Sequence, residues 1–212
     1  MVAFPGGTRQ DNSTIGYDFI MNFFSDLGGL STPSGIPNLS SSILFTIALL
    51  VASGCSIPFF IAFPLIFTHS VWSKILSTAG SVLGIVAFIS YGGVALSPWD
   101  VTGDIHGVFV FLAFITIFIM AILYTVAMFM SQLFQLSYKL MFLAFTLMFG
   151  SYVVILYLDS GLVVQTLGQK LVVYGEIVFF SLSAFMARNR FLATNYYPKP
   201  LLEDIMVYLK QK

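Results

Sequence analysis

The chain has 212 residues, 58% of them hydrophobic and 8% charged, with a mean hydropathy of +0.94. Soluble domains carry about 25% charged residues, so this composition describes an integral membrane protein and excludes a soluble globular domain. Nine basic and nine acidic residues cancel, which excludes a field-driven binder of nucleic acid, and the single cysteine, Cys55, excludes a disulfide within the chain.

The chain opens with the apolar residues 1–4, which read as the last turn of a preceding span. Pro5-Gly6-Gly7 follows as a turn signal. Residues 15–27 alternate apolar and polar positions at helical spacing, with Asp18, Asn22, Ser25 and Asp26 on one face. The spacing predicts a short amphipathic helix lying at the outer interface. It is too short to span, since thirteen residues cover about 20 Å against a hydrocarbon core of about 30 Å. Gly28-Gly29 and the Ser-, Pro- and Gly-rich residues 31–37 read as loop.

Five apolar segments follow, near residues 42–68, 71–96, 105–130, 138–158 and 169–187, each of about the length that crosses a bilayer. Pro58 and Pro64 predict a bend in the first. The second holds Gly80 and Gly84, a small-residue pair that permits close helix approach. The fifth carries Glu176, the one acid well inside a span, and Gln169, seven residues earlier, shares its face. Trp72 and Trp99 flank the second span as interfacial anchors. The expected architecture is an all-α polytopic bundle over residues 1–187 and a tail over 188–212. Ile205, Met206, Tyr208 and Leu209 suggest an amphipathic helix in that tail.

Basic residues orient the bundle. Lys74, Lys139, Arg188, Arg190, Lys199, Lys210 and Lys212 fall on one side, Arg9 and Lys170 on the other, so the carboxyl terminus is expected in the cytoplasm. Asp11, Asp18, Asp26, Asp100, Asp104 and Asp159 then gather on the outer side with His106. Five spans with an inner tail place the amino terminus outside. A sixth helix ahead of Met1 would bring both ends inside; otherwise the first forty residues cross unaided.

The sequence of Phe4-Pro5-Gly6-Gly7-Thr8, Gly16-Tyr17, Asn22-Phe23-Phe24-Ser25-Asp26-Leu27-Gly28, then Pro98-x-Asp100 with His106 opening another helix, resembles the multi-pass family catalogued as domain of unknown function 998. That family is distantly similar to the Frag1/DRAM/Sfk1 group, which is associated with membrane-lipid organisation and glycolipid-anchor remodelling. The resemblance implies six spans, of which this chain shows five, and no particular reaction.

Each candidate site residue has a structural use beside a chemical one. Ser25 and Asp26 serve either an outer polar site or the turn before Gly28. Asp104 or Thr102 suits the amino terminus of the third span as a cap. His106 beside Asp100 and Asp104 is a constellation for proton transfer near neutral pH. A multi-histidine zinc site is excluded, because such a site takes three protein ligands and the only other histidine, His69, lies in a loop on the opposite side, while a site of one histidine and several aspartates stays open. Glu176 is either a functional intramembrane acid or a packing hydrogen bond.

The leading expectation is a polar pocket at the non-cytoplasmic face that binds or modifies lipid headgroups. Asn22, Ser25, Asp26, Asp100, His106 and Glu176 would bind the ligand, with His106, Asp26, Asp100 and Asp104 as catalytic candidates. It predicts Asp26 within one water's reach of His106 or Asp100. Two alternatives stand beside it: a proton-coupled carrier of small solutes using Glu176, and a structural or assembly subunit without chemistry. The expected partners are membrane lipid and other membrane proteins, not nucleic acid. No metal site and no particular cofactor are indicated.

Overall fold

A computed structural model describes residues 1–67, 70–158 and 160–193. His69, Asp159 and the tail from residue 194, including its expected amphipathic helix, lie outside the described residues. Among those described there are six α-helices and no strand: α1 (Leu39–Ala62), α2 (Val71–Leu96), α3 (Trp99–Thr102), α4 (Asp104–Met130), α5 (Leu136–Tyr157) and α6 (Leu162–Ala193). All but α3 are long and apolar enough to cross a membrane. The chain is a multi-pass integral membrane protein.

The spans begin and end close to where the apolar runs do, with two informative differences. In the first, the α-helix continues through Pro58 to Ala62, and the chain then tightens into a 3-10 turn, Phe63–Ile66, that contains Pro64. Pro64 lacks the N–H that would continue the ladder, so the α-helix gives way just before it. The last span is longer than expected. It starts at Leu162, seven residues before Gln169, and so takes in Thr166, and it runs six residues past Ala187.

Consecutive long helices pack as neighbours, α1 on α2, α2 on α4, α4 on α5 and α5 on α6. The α2–α4 seam is the most extensive and carries the Ser81 Oγ to Tyr124 hydroxyl hydrogen bond at 2.7 Å. Aromatic rings fill the core: Phe145 stacks on Phe179 with centroids 3.8 Å apart, and Phe63 lies 4.5 Å from Tyr124. Gly80 and Gly84 are used within this packing. A Cβ at Gly80 would sit 2.7 Å from the Tyr124 ring, and one at Gly84 would come within 2.2 Å of the Phe60 ring. The small-residue face therefore seats rings of α4 and α1. Gly84→Val is expected to lower stability by about 1–3 kcal/mol, the usual cost of overfilling a packed core. The check is the melting temperature in detergent, and an unchanged value would mean that Phe60 swings aside freely.

Residues 1–38 form a cap over the end of the bundle where α1, α4 and α6 begin. Gly6 and Gly7 have φ of 136° and 92°, values that side chains resist, and a Cβ at Gly7 would lie 2.8 Å from the Ser34 nitrogen. This explains the Pro-Gly-Gly motif. The amphipathic helix expected over residues 15–27 is not formed; the segment is a chain of turns ending in one 3-10 turn, Phe24–Gly28. Its polar side chains take the backbone N–H groups that a helix would need. Asp18 Oδ1 accepts from Ile20 and Met21, Asn22 Oδ1 from Asp18, and Asp26 Oδ2 from Phe23. Side-chain acceptors of this kind compete directly with the helical ladder.

Candidate functional site

The expected site residues fall into two groups, one in the cap and one within the span region. In the cap, Asp26 is completely buried. Its Oδ2 accepts from the Phe23 N–H at 2.8 Å and from Asn22 Nδ2 at 3.2 Å, and its Oδ1 lies 3.8 Å from an Arg9 guanidinium nitrogen. Arg9 in turn lies over the Phe23 and Trp99 rings at 5.0 and 5.4 Å. Burial pushes the Asp26 carboxyl above its ordinary range, against the pull of Arg9, Asn22, the Phe23 N–H and Lys170. Asn22, also fully buried, donates to the Gly7 carbonyl at 3.0 Å and so ties the 3-10 turn to the glycine turn.

Asp100, on α3, is a clamp. Its two oxygens accept the backbone N–H groups of Leu30 and Ser31 at 3.0 and 2.8 Å. His106, in the first turn of α4, is buried with Nδ1 2.6 Å from the Ser97 carbonyl. A carbonyl only accepts, so Nδ1 carries a proton, and Nε2 has no partner. The charges of Asp26 and Arg9 both act on this ring. No direct hydrogen bond joins Asp26 to His106, Asp100 or Asp104 among the described residues. Asp104 is exposed at the first position of α4, and the Thr102 hydroxyl turns back to the Pro98 carbonyl rather than capping α4. The cap thus brings Asn22, Asp26, Arg9 and His106 into one neighbourhood, gives Asp100 a structural task and leaves Asp104 apart.

The second group lines a cavity of about 450 Å³ between α1, α2, α4 and α6. Its walls are almost wholly apolar, with Phe45, Leu49, Phe88, Phe114 and Val173 among them. Phe24 and Ser25 form its cap end, and Phe180 marks the end away from the cap. Gln169, Glu176 and Phe180 succeed one another along α6, so the cavity runs about 16 Å down that helix at 1.5 Å per residue. Glu176 is buried, and its Oε2 accepts from the Tyr91 hydroxyl of α2 at 2.9 Å. Its Oε1 has no partner, and neither has the buried Ser53 Oγ on the α1 wall.

The cavity exists because α1 and α6 meet mainly at one end. There Phe180 packs edge-on against Phe59 and Phe60 at 5.2 and 5.5 Å. Above that contact Ala48 and Ala52 of α1, and Tyr174 and Ile177 of α6, line the cavity and are also exposed on the outside of the bundle. These residues frame a mouth facing the bilayer.

Among the expected ligand residues, Ser25 and Glu176 line this cavity, and Gln169 joins them on the face predicted from its spacing. Arg9, Tyr91, Ser53 and Lys170 were not anticipated. Tyr91 and Glu176 are 85 positions apart, and one tyrosine among ten gives no local sign of its partner. Among the described residues no group of three or more histidine, cysteine or acidic side chains could hold a metal. No family model, curated protein or solved structure matches the chain.

Proposed function

We propose that this protein binds a membrane lipid in the cavity between α1 and α6, with the lipid entering sideways from the bilayer. The observation that carries this reading is an apolar chamber of about 450 Å³ with one buried carboxyl in its wall and small residues at a lateral mouth. Ligand pockets are typically about 300–1,000 Å³, apolar, with a few convergent polar groups. We place the cap on the non-cytoplasmic face and the carboxyl terminus in the cytoplasm on the basic-residue bias.

This moves the ligand from the outer acids to the span region. Asp100 is occupied by two cap backbone groups, and Asp26 is enclosed in the cap by the Phe23 N–H, Asn22 and the Arg9 ion pair, whereas Glu176, with one oxygen unpartnered, lines a chamber. A proton-coupled carrier is the weaker alternative: such sites are usually built from broken helices, and α6 is continuous through Glu176. Ala52→Trp tests the lipid reading by filling the mouth without touching Glu176. The protein in phosphatidylcholine nanodiscs should yield co-purifying lipid by native mass spectrometry, and the variant should lose about nine-tenths of it, a shift of roughly 1.4 kcal/mol. Equal lipid retention by both proteins would sink the proposal.

A further inference from the structure

The cavity has a more specific chemistry than apolarity. We infer that its ligand is an uncharged lipid alcohol whose hydroxyl reaches Glu176, an inference that rests on the lipid-binding reading above. No lysine or arginine lines the cavity. Lys170, the residue after Gln169, donates instead to the Asn22 and Thr166 carbonyls. An anionic lipid would therefore find no counter-charge, and burying a charge without a partner is costly.

The polar groups that are present ask for a hydroxyl. Tyr91 occupies Glu176 Oε2, leaving Oε1 buried and unpartnered, and Ser53 Oγ is buried and unpartnered on the facing wall. Buried polar atoms normally have partners, and an orphan calls for an explanation. A hydroxyl donates to an ionised carboxylate and accepts from a protonated one, so it serves Glu176 in either state. An ester or ether oxygen can only accept, and an ammonium can only donate.

Glu176 lies seven residues, about 10 Å, below Gln169, and Phe24 and Ser25 line the cap end of the cavity. The ligand's hydrocarbon then fills the chamber or trails through the Ala48–Ala52 mouth into the bilayer.

The test uses the full chain in phosphatidylcholine nanodiscs and hexadecanol carrying a photoreactive diazirine on its chain. Labelling should map to peptides of α1 and α6, and unlabelled hexadecanol should compete. Hexadecanol should compete at both low and high pH, whereas hexadecyl methyl ether should compete about tenfold less well where Glu176 is ionised and hexadecylamine about tenfold less well where it is protonated, the scale of one lost hydrogen bond. Glu176→Gln, whose amide both donates and accepts, should retain labelling; Glu176→Leu should reduce it about tenfold. Competition by the ether or the amine equal to that of the alcohol at both ends of the pH range, or full labelling of Glu176→Leu, overturns the hydroxyl assignment while leaving the cavity a lipid site. No labelling of α1 or α6, together with unchanged lipid retention in Ala52→Trp, overturns the lipid reading itself.

Discussion

Asp26→Ala is expected to loosen the cap while the five spans stay folded. The substitution removes the acceptor of the Phe23 N–H and of one Asn22 Nδ2 hydrogen bond, and the counter-charge of Arg9. A buried donor left without an acceptor costs about 1–3 kcal/mol, and the void left by the carboxyl adds to this, so the cap should lose about 2–4 kcal/mol. Arg9 is 48% exposed and can turn to water, so the ion pair itself contributes little. Hydrogen exchange at Phe23 to Ser31 should rise sharply, with α2 and α4 amides unchanged; unaltered protection there would show that Asp26 does not hold the turn. Acid should act in the opposite sense to the mutation. Burial raises Asp26 above its ordinary value of 3.8, so the folded cap keeps its proton to a higher pH than the unfolded chain. Its contribution to stability is then greatest below 3.8 and declines as pH rises through the window up to the raised folded value. Asp26→Asn should abolish that slope.

The same residue marks where sequence patterns inform and where they mislead. The spans were legible because some twenty consecutive apolar residues have few alternatives in water. The second was expected at 71–96 and is Val71–Leu96. The polar stripe of Asp18, Asn22 and Asp26 was legible as special but not as structure. Polar residues three or four apart make one face of a helix, and they also let each side chain reach a backbone N–H three or four residues away, which unmakes the helix. Sequence spacing is the same in both cases. The start of α6 was placed seven residues late for a related reason: Gln165, Thr166 and Gly168 look like loop residues by hydropathy, yet they lie inside a helix, and Thr166 faces the cap. Glu176 stood out because an acid inside a span is costly and so rare. Tyr91, Ser53 and the gap between α1 and α6 depend on how helices meet, which no local pattern records.

Lys170→Met is expected to free the cap from α6. Lys170 is 2% exposed, and its ammonium donates to the Asn22 and Thr166 carbonyls within 5.2–5.6 Å of the Tyr17, Phe19 and Phe24 rings. Neighbours on the same face add to the joint: the Thr166 hydroxyl donates to the Ile20 carbonyl, and Gln169 Oε1 accepts from the Phe24 N–H at 2.8 Å. Methionine keeps the stem and removes the charge. Hydrogen bonds from a charged donor contribute about 1.5–3 kcal/mol and cation–π contacts about 0.5–2 kcal/mol, offset by the cost of burying the ammonium. The net loss should be about 2 kcal/mol, which converts to about a thirtyfold gain in hydrogen exchange at residues 20–28. The cavity should respond differently. Phe24 lines its cap end, but the mouth lies lower and to the side, between Ala48, Ala52 and Tyr174. Release of the photoreactive hexadecanol from Lys170→Met should therefore change by less than about threefold, below half of the 1.4 kcal/mol that makes a tenfold step. If release instead accelerates in step with cap opening, the ligand leaves through the cap, and the gap between α1 and α6 is a wall of the site and not its door.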